Sequence, residues 1–186
     1  LPVHCEEAVI ESTLARLSQS LAGIDYEILV VDDASTDRTP ELVEARTAVD
    51  RRVFLLRKHQ KAGAARAIDT GVHHARGAVV ATMNADLQHP PELLRVMLQR
   101  IGEGCDVVVA SRYVEDGNPG MGGLRIAISR LAIGLARLVL PRAARIRDPL
   151  AGYFMFRRAV VEKVQLLPNL TDKRVSIGLK YLLAII

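Results

Sequence analysis

Cysteine is scarce in this chain of 186 residues, which contains only Cys5 and Cys105. The two lie far apart in sequence and form neither a CxxC pair nor a Cys/His spacing typical of metal sites. They therefore provide neither a disulfide framework nor a zinc site. We expect a reducing environment that faces the cytosol.

Aromatic residues are also few, with four tyrosines, three phenylalanines and no tryptophan. None is interleaved with arginines as a base-stacking site requires, so we expect no nucleic-acid partner. No G-x-G-x-x-G segment follows a predicted strand, which argues against a nucleotide-binding oxidoreductase.

Internal repeats, low-complexity tracts and Ser/Gly linkers are absent, and 49% of the residues are apolar while 25% are charged. A chain of this length and composition suits one well-buried domain and is short for two. We therefore predict a single domain over residues 1–186. The chain starts on Leu-Pro and stops within the apolar run YLLAII, so we expect both ends to be cuts through a longer protein.

The formal net charge of +4 is unevenly distributed along the chain. Residues 1–110 contain 12 Lys and Arg against 16 Asp and Glu, whereas residues 111–186 contain 13 against 5. A basic half suggests a polyanion or a membrane surface as partner. A basic face exposed only to solvent is the alternative interpretation.

Short apolar runs alternate with helical periods up to about residue 110, a pattern typical of α/β proteins with a mostly parallel sheet. Ser35 and Thr36 signal the start of one helix, and Pro40 falls just inside it. The predicted strands are 26–33, 53–57, 77–83 and 106–113, and the other predicted helices are 7–21, 62–75 and 91–101.

Polar side chains collect where these strands end, which is where ligands bind in open α/β sheets. They are Asp32, Asp33, Asn84, Asp86, Gln88, Ser111 and Arg112. Buried carboxylates are costly unless they meet donors or a cation, so we interpret the Asp32–Asp33 pair as ligand-binding. Ser35 and Asp37 are better interpreted as helix caps.

The segment TMNADLQHPPE leaves a predicted buried strand and combines a carboxylate, an amide and an imidazole. Asp86 and Gln88 are two positions apart, so on an extended backbone their oxygens point to one side. Such hard ligands suit Mg²⁺ or Mn²⁺, whose shell is completed by water and phosphate oxygens, here those of a nucleotide-sugar diphosphate. His89 is interpreted as a loop histidine, and Pro90-Pro91 are expected to fix the loop and start the next helix.

Residues 124–140, LRIAISRLAIGLARLVL, form an apolar segment that is too interrupted by arginines to span a bilayer comfortably. We predict an interfacial helix on a membrane, with an ordinary core helix as the alternative. Arg125 and Ser129 are four apart and share a helix face, and with Arg112 they can clamp a phosphate. Arginines merely exposed to solvent are the alternative, which we favour for Arg130.

In order and spacing, YEILVVDDASTDRT, MNADLQHPPE, ASRY and RDPLAGYFMFRR resemble the inverting family-2 nucleotide-sugar glycosyltransferases. Within that family the chain looks most like the dolichyl- or polyprenyl-phosphate mannosyltransferases. The resemblance implies a GT-A fold, a three-layer α/β sandwich with a mostly parallel central sheet, plus C-terminal amphipathic interface helices. It also implies a nucleotide-sugar half over about 1–110 and an acceptor- and membrane-facing half over about 111–186.

The resemblance assigns roles to individual residues. PVHCEE corresponds to the family's P-x-Y-N-E, with His4 in place of Tyr, and Asn84-Ala85-Asp86 to its DAD triplet, with Asn84 in place of the first Asp. The nucleotide-sugar site would comprise Pro2, His4, Glu6, Val31, Asp32, Asp33, Asn84, Ala85 and Asp86. Asp86 and Gln88 would hold Mg²⁺ or Mn²⁺, Arg112, Arg125 and Ser129 the lipid phosphate, and Asp86 and Arg112 would be catalytic.

The activity that the resemblance implies is transfer of mannose from GDP-mannose to a dolichyl or polyprenyl monophosphate with inversion, giving a β-linked product. UDP-glucose or another nucleotide sugar as donor is one alternative. A non-catalytic nucleotide-sugar-binding protein is another, suggested by Asn84. We expect the protein at the cytoplasmic face of a membrane, either peripheral or anchored by segments outside this chain.

Overall fold

The computed structural model describes residues 1–86, 88–110 and 152–160, in which strands and helices alternate up to the fifth strand and a sixth strand follows. The strands are β1 Pro2–Val3, β2 Ile28–Asp33, β3 Val53–Lys58, β4 Val79–Thr82, β5 Val107–Val109 and β6 Phe154–Arg157. The helices are α1 Ile10–Ser20, α2 Thr39–Val49, α3 Ala64–His74 and α4 Leu93–Gly102.

The strands form two three-stranded sheets. The first has the order β1-β2-β3 and is parallel, with Val3 opposite Asp32 and Asp33 opposite Lys58. The second has the order β4-β6-β5, and β6 runs antiparallel to both of its neighbours. The parallel register brings the ends of β1 and β2 to the same edge, where the polar candidate residues begin.

The core follows from the sequence pattern of each element. β2 is an apolar run that ends in two carboxylates and is buried along nearly its whole length, as expected for a parallel strand covered on both faces. α1 buries Ile10, Leu14 and Leu17 at helical spacing, and α4 buries its own apolar face in the same way. Gly71 lets α3 approach β2, because a Cβ there would lie only 3.3 Å from Cγ2 of Val31.

The predicted strands over 26–33, 53–57 and 77–83 and the predicted helices are present with slightly different ends. The helix predicted from residue 7 begins instead at Ile10. The amide of Glu6 donates to Oγ1 of Thr39 (2.8 Å) and that of Glu7 to Oδ2 of Asp37 (3.1 Å), so these residues form a loop bound to the start of α2.

Neither predicted cap of α2 occupies its N-cap position, which is Arg38 and has no side-chain cap hydrogen bond. Asp37 lies one residue before Arg38, and its Oδ1 accepts from the amide of Thr39 at 3.1 Å. The prediction for Ser35 was wrong, since its hydroxyl accepts from the amide of Cys5 (2.9 Å) and thereby fixes the loop after β1. Cys5 adopts a left-handed backbone conformation in that loop, with φ of 58°.

Several predicted features lie outside the described residues. They are the end of the 106–113 strand, the 124–140 helix, the C-terminal interface helices, Ser111, Arg112, Arg125 and Ser129. Within the described ranges, no helix has the length and apolar character needed to cross a bilayer.

Candidate functional site

The candidate residues of the first 110 positions lie on three segments that follow strands. His4 and Glu6 follow β1, Asp32 and Asp33 end β2, and the Asn84–Gln88 loop follows β4. Glu6 and Asp86 are close enough that the charge of one acts on the other. The structure therefore brings the first and third segments together, although they are about 80 residues apart in sequence.

Asp32 is fully buried, and its carboxylate stabilises the turn after β2. The amide of Ser35 donates to both carboxylate oxygens at 3.2 and 3.3 Å. Ala34, inside this turn, has a φ of 60°, a conformation that L residues rarely adopt without such support. A role of Asp32 in ligand binding stays a prediction.

Asp33 holds the start of α3 against the end of β2. Its two oxygens accept from the amides of Ala62 (2.9 Å) and Gly63 (2.7 Å), and Nζ of Lys58 lies 3.5 Å away. Burial opposes ionisation, but these amides and the charge of Lys58 hold the pKa of Asp33 below its ordinary value of 3.8. The carboxylate therefore stays charged and stabilises the positive end of the α3 dipole.

Asp33→Asn is expected to lower the free energy of unfolding at pH 7 by about 2–4 kcal/mol, because an amide leaves one buried N–H without an acceptor. The lowered pKa of Asp33 means that its contribution is present above its ordinary pKa and is lost as the pH falls through the folded value. Urea unfolding at pH 7 and pH 3 should therefore show a difference between variant and wild type that shrinks in acid. An equal difference at both pH values would contradict this role; Asp25→Asn, at an exposed position, is the control.

His4 forms a contact that the sequence pattern does not reveal. Nζ of Lys61 lies 2.8 Å from its Nε2, and because an ammonium group only donates, Nε2 is the acceptor. Lys61 lies in the loop between β3 and α3 and had no local sequence signal. It adds a positive charge beside the segment that the resemblance assigns to the nucleotide.

Pro2 in β1 is the register partner of Val31 in β2. The side chain of Val31 is buried and packs against α3. Both line an apolar cavity of about 380 Å³ between β2 and β4, together with residues such as Leu29, Val79 and Ala81. The polar candidates that the structure describes do not line this cavity. Contacts of Pro2 and Val31 with a nucleotide stay predictions.

The Asn84–Gln88 loop is anchored from the core while its polar groups stay accessible. Ala85 is buried, and its carbonyl accepts from the hydroxyl of Thr13 in α1 at 2.8 Å. Asn84 and Gln88 are exposed and Asp86 is half-buried, with its Oδ1 accepting from the amide of Gln88 at 3.2 Å. Ala85 is thus buried, while Asn84 and Asp86 on either side of it stay exposed and half-buried.

The pKa of Glu6 is affected by the other charged groups at this edge of the sheet. Partial burial raises the pKa of its carboxyl, the negative charges of Asp86 and Asp37 raise it further, and His4 lowers it. Carboxylates that disfavour one another's charge are the surroundings in which a cation binds favourably. A cation bound here would reduce this mutual repulsion of the carboxylates.

The donor set fits a divalent cation held in part by a substrate. No three His, Cys, Asp or Glu side chains converge as a metal cage within residues 1–86, 88–110 and 152–160. Mg²⁺ and Mn²⁺ do not need such a cage, since Mg²⁺ typically uses one or two protein oxygens plus phosphate and water. The Asp86 carboxylate and the Gln88 amide supply oxygens of that kind on one short loop.

Sequence reasoning missed several residues that contact the candidate segments. Thr13 and Lys61 are distant in sequence, and only the fold brings them to the site. His89, interpreted from sequence as a loop histidine, accepts at Nδ1 from the amide of Asn84 (3.0 Å) and stacks on Tyr153. The only sequence signal for Tyr153 was its place in the segment GYF.

Proteins of known sequence resemble the chain over most of its length. Dolichol-phosphate mannosyltransferase of Pyrococcus furiosus is 36% identical over 187 residues, which cover 100% of this chain and 51% of the relative. Polyprenol monophosphomannose synthase of Mycolicibacterium smegmatis is 36% identical over 171 residues, covering 89% of this chain and 63% of the relative. The chain spans about half to two thirds of the length of these two relatives.

Among solved structures, glucosyl-3-phosphoglycerate synthase of Mycobacterium tuberculosis, in complex with Mn²⁺, UDP and glucosyl-3-phosphoglycerate, has the same fold. The TM-score is 0.66 at 22% identity, over 86% of this chain and 55% of that one. The expected GT-A fold is confirmed. The strand ends and the Asn84–Gln88 loop all fall within residues 1–165, over which the sequence matches the Glycosyl transferase family 2 profile, and the chain belongs to that family.

Proposed function

We propose that the protein transfers a hexose, mannose from GDP-mannose, to a polyprenyl monophosphate with inversion at the anomeric carbon. The observation that carries the proposal is the Asn84–Gln88 loop, which follows a strand and carries Gln88 together with Asp86, whose charge acts on Glu6 after β1. Membership of the glycosyltransferase family supports the reaction class. The two relatives named for mannosyl transfer to dolichol or polyprenol phosphates support the donor sugar and the acceptor.

The donor is assigned to the half of the chain up to residue 110. Asp86 and Gln88 would hold Mg²⁺ or Mn²⁺, and this cation would neutralise charge on the departing nucleoside diphosphate. The amide of Asn84 offers hydrogen bonds to sugar hydroxyls. His4, Glu6 and the end of β2 would contact the nucleoside, and Lys61 adds a cation beside them.

The acceptor is assigned to the basic half. A lipid monophosphate has a second pKa near ~6, so at neutral pH it is largely ionised and needs no strong general base. Arg112, Arg125 and Ser129 would align its oxygen with the anomeric carbon, opposite the leaving diphosphate. A single displacement of this kind would invert the anomeric centre. A lipid acceptor would require the protein at a membrane surface, for which we propose the cytoplasmic face.

The proposal is tested by incubating the purified protein with polyprenyl phosphate and a panel of radiolabelled nucleotide sugars, followed by extraction of the lipids. Label from GDP-mannose should enter the lipid fraction, and chelation of divalent cations should prevent it. Transfer from UDP-glucose alone would correct the donor. No transfer from any donor, with nucleotide sugar still bound, would favour the non-catalytic alternative.

Asn84 is the feature that favours a non-catalytic nucleotide-sugar-binding protein, because an amide lacks the charge that the family's Asp brings near the metal. Asn84→Asp is expected to strengthen Mn²⁺ binding about fivefold or more, since an added charge near a cation contributes on the order of 1 kcal/mol or more. Calorimetric titration of Mn²⁺ with GDP present measures this change, and Asn84→Ala is the control. A folded Asn84→Asp variant with weaker binding and slower transfer would mean that the site is adapted to the amide.

A further inference from the structure

We propose that His89 and Tyr153 are positioning residues that hold the Asn84–Gln88 loop in the geometry needed to bind the cation. The inference rests on the proposed function, because it takes Asp86 and Gln88 as the metal ligands. His89 and Tyr153 are called the His89–Tyr153 pair below. Neither is assigned to the donor, the metal or the acceptor phosphate.

His89 closes the loop through its ring. The amide of Asn84 donates to Nδ1 of His89 at 3.0 Å, so the residue that begins the loop is tied to the residue that follows it. Between these ends, the amide of Gln88 donates to Oδ1 of Asp86 at 3.2 Å. Together these two hydrogen bonds restrict the movement of the Asp86 backbone relative to that of Gln88. Because Nδ1 of His89 accepts the Asn84 amide, it is not available as a metal ligand.

Tyr153 holds His89 in place from the core side. The two rings are stacked, with centroids 4.9 Å apart and planes inclined by 16°, and Tyr153 is 1% exposed. Its hydroxyl donates to the carbonyl of Pro90 at 2.9 Å, so one side chain contacts two consecutive residues. Burial raises the pKa of this hydroxyl and the charge of Glu92 raises it further, so it remains a donor at neutral pH.

The residues around Tyr153 are themselves fixed to the end of β4. The hydroxyl of Thr82 donates to the carbonyl of Gly152 at 3.1 Å, and Thr82 is the register partner of Phe154. On the other side, the amide of Ala110 donates to the carbonyl of Tyr153 at 3.0 Å. Gly152 and Tyr153 are therefore bonded to the end of β4 and to the residue that follows β5.

Gly152 also lies directly against the loop. A Cβ at Gly152 would be 3.6 Å from Oδ1 of Asn84 and 3.6 Å from Cε1 of His89. In sequence, Gly152 and Tyr153 directly follow the 111–151 segment, which carries the three residues assigned to the acceptor phosphate. The His89–Tyr153 pair thus joins the donor loop to the described part of the acceptor half, residues 152–160.

The test compares His89→Ala with His89→Asn, because an Asn Oδ1 can take the place of Nδ1 as acceptor. His74→Ala is the control, since His74 is an exposed histidine on α3. The hydrogen-exchange rate of the Asn84 amide, monitored by NMR in the absence of ligand, measures directly whether His89 holds the loop. Loss of one hydrogen bond is expected to speed exchange about tenfold in His89→Ala. His89→Asn should stay within about threefold of wild type and His74→Ala should match it.

The second readout is Mn²⁺ affinity with GDP present, measured by electron paramagnetic resonance. His89→Ala is expected to weaken binding about tenfold or more, as is usual when a group that orients a metal ligand is lost, and His89→Asn should restore most of it. Unchanged exchange at Asn84 in His89→Ala would overturn the inference. Faster exchange in a protein whose wild type binds no Mn²⁺ with GDP would support the positioning role and refute the proposed function instead.

Discussion

Asp86→Ala is expected to reduce transfer by a factor on the order of 10³, the largest effect of any single substitution in the proposed site. The cation is assigned several kcal/mol of stabilisation of the departing diphosphate, and each 1.36 kcal/mol corresponds to a factor of ten in rate. Asp86 is half-buried and ends no helix or strand, so its loss should leave the fold intact. The unfolding midpoint should therefore stay close to that of wild type.

The same substitution should act on donor binding only through the metal. Titration of GDP should show weaker binding for Asp86→Ala when Mn²⁺ is present and the same binding as wild type when it is chelated. Asp25→Ala, which removes an exposed carboxylate from the opposite end of β2, should change neither quantity. A wild-type transfer rate that is insensitive to chelator would remove the metal from the account.

Arg125→Ala is expected to weaken use of the lipid acceptor tenfold to a hundredfold. A charge-assisted hydrogen bond to phosphate contributes roughly 1.5–3 kcal/mol when well placed, which corresponds to that range. Binding of the nucleotide sugar should hardly change, because the prediction assigns Arg125 to the acceptor alone. Saturation curves for polyprenyl phosphate and for the donor, measured side by side, separate the two effects.

Arg130→Ala is the matched control for Arg125→Ala. Arg130 lies five residues further along the same basic segment, and we expect its side chain to be exposed to solvent. Its loss should leave both saturation curves near those of wild type. An unchanged acceptor curve for Arg125→Ala would remove Arg125 from the site, and equal losses on both curves would indicate misfolding or a donor role.

Local sequence patterns were sufficient to predict those elements whose buried residues form a regular pattern within one segment. β2 was predictable because an unbroken apolar run ends in two acidic residues, and α4 because its apolar residues recur at helical spacing. β6 was missed as a strand, since its segment FMFR gives no sign that it inserts between β4 and β5. The start of α1 was placed too early because side chains of Asp37 and Thr39, some 30 residues away, take the preceding amides.

The candidate site was predictable to a similar extent and for similar reasons. The spacing of Asp86 and Gln88 is a local feature, and the rule that ligands bind beyond the carboxyl ends of strands located the edge. Contacts between distant segments were not predictable. Thr13 reaches the carbonyl of Ala85 across 72 residues, and Lys61 reaches His4 across 57. Such contacts depend on how whole helices and strands pack together, and this packing cannot be predicted from residue spacing within one segment.

The most direct test of the account is the anomeric configuration of the sugar on the extracted polyprenyl phosphate. GDP-mannose carries mannose in the α configuration, and a single displacement by an ionised lipid phosphate gives a β-linked product. NMR of the purified lipid should therefore show β-mannosyl phosphate, formed only when Mg²⁺ or Mn²⁺ is present. An α-linked product, or a lipid labelled equally well in chelator, would contradict one-step metal-dependent transfer at the Asn84–Gln88 loop.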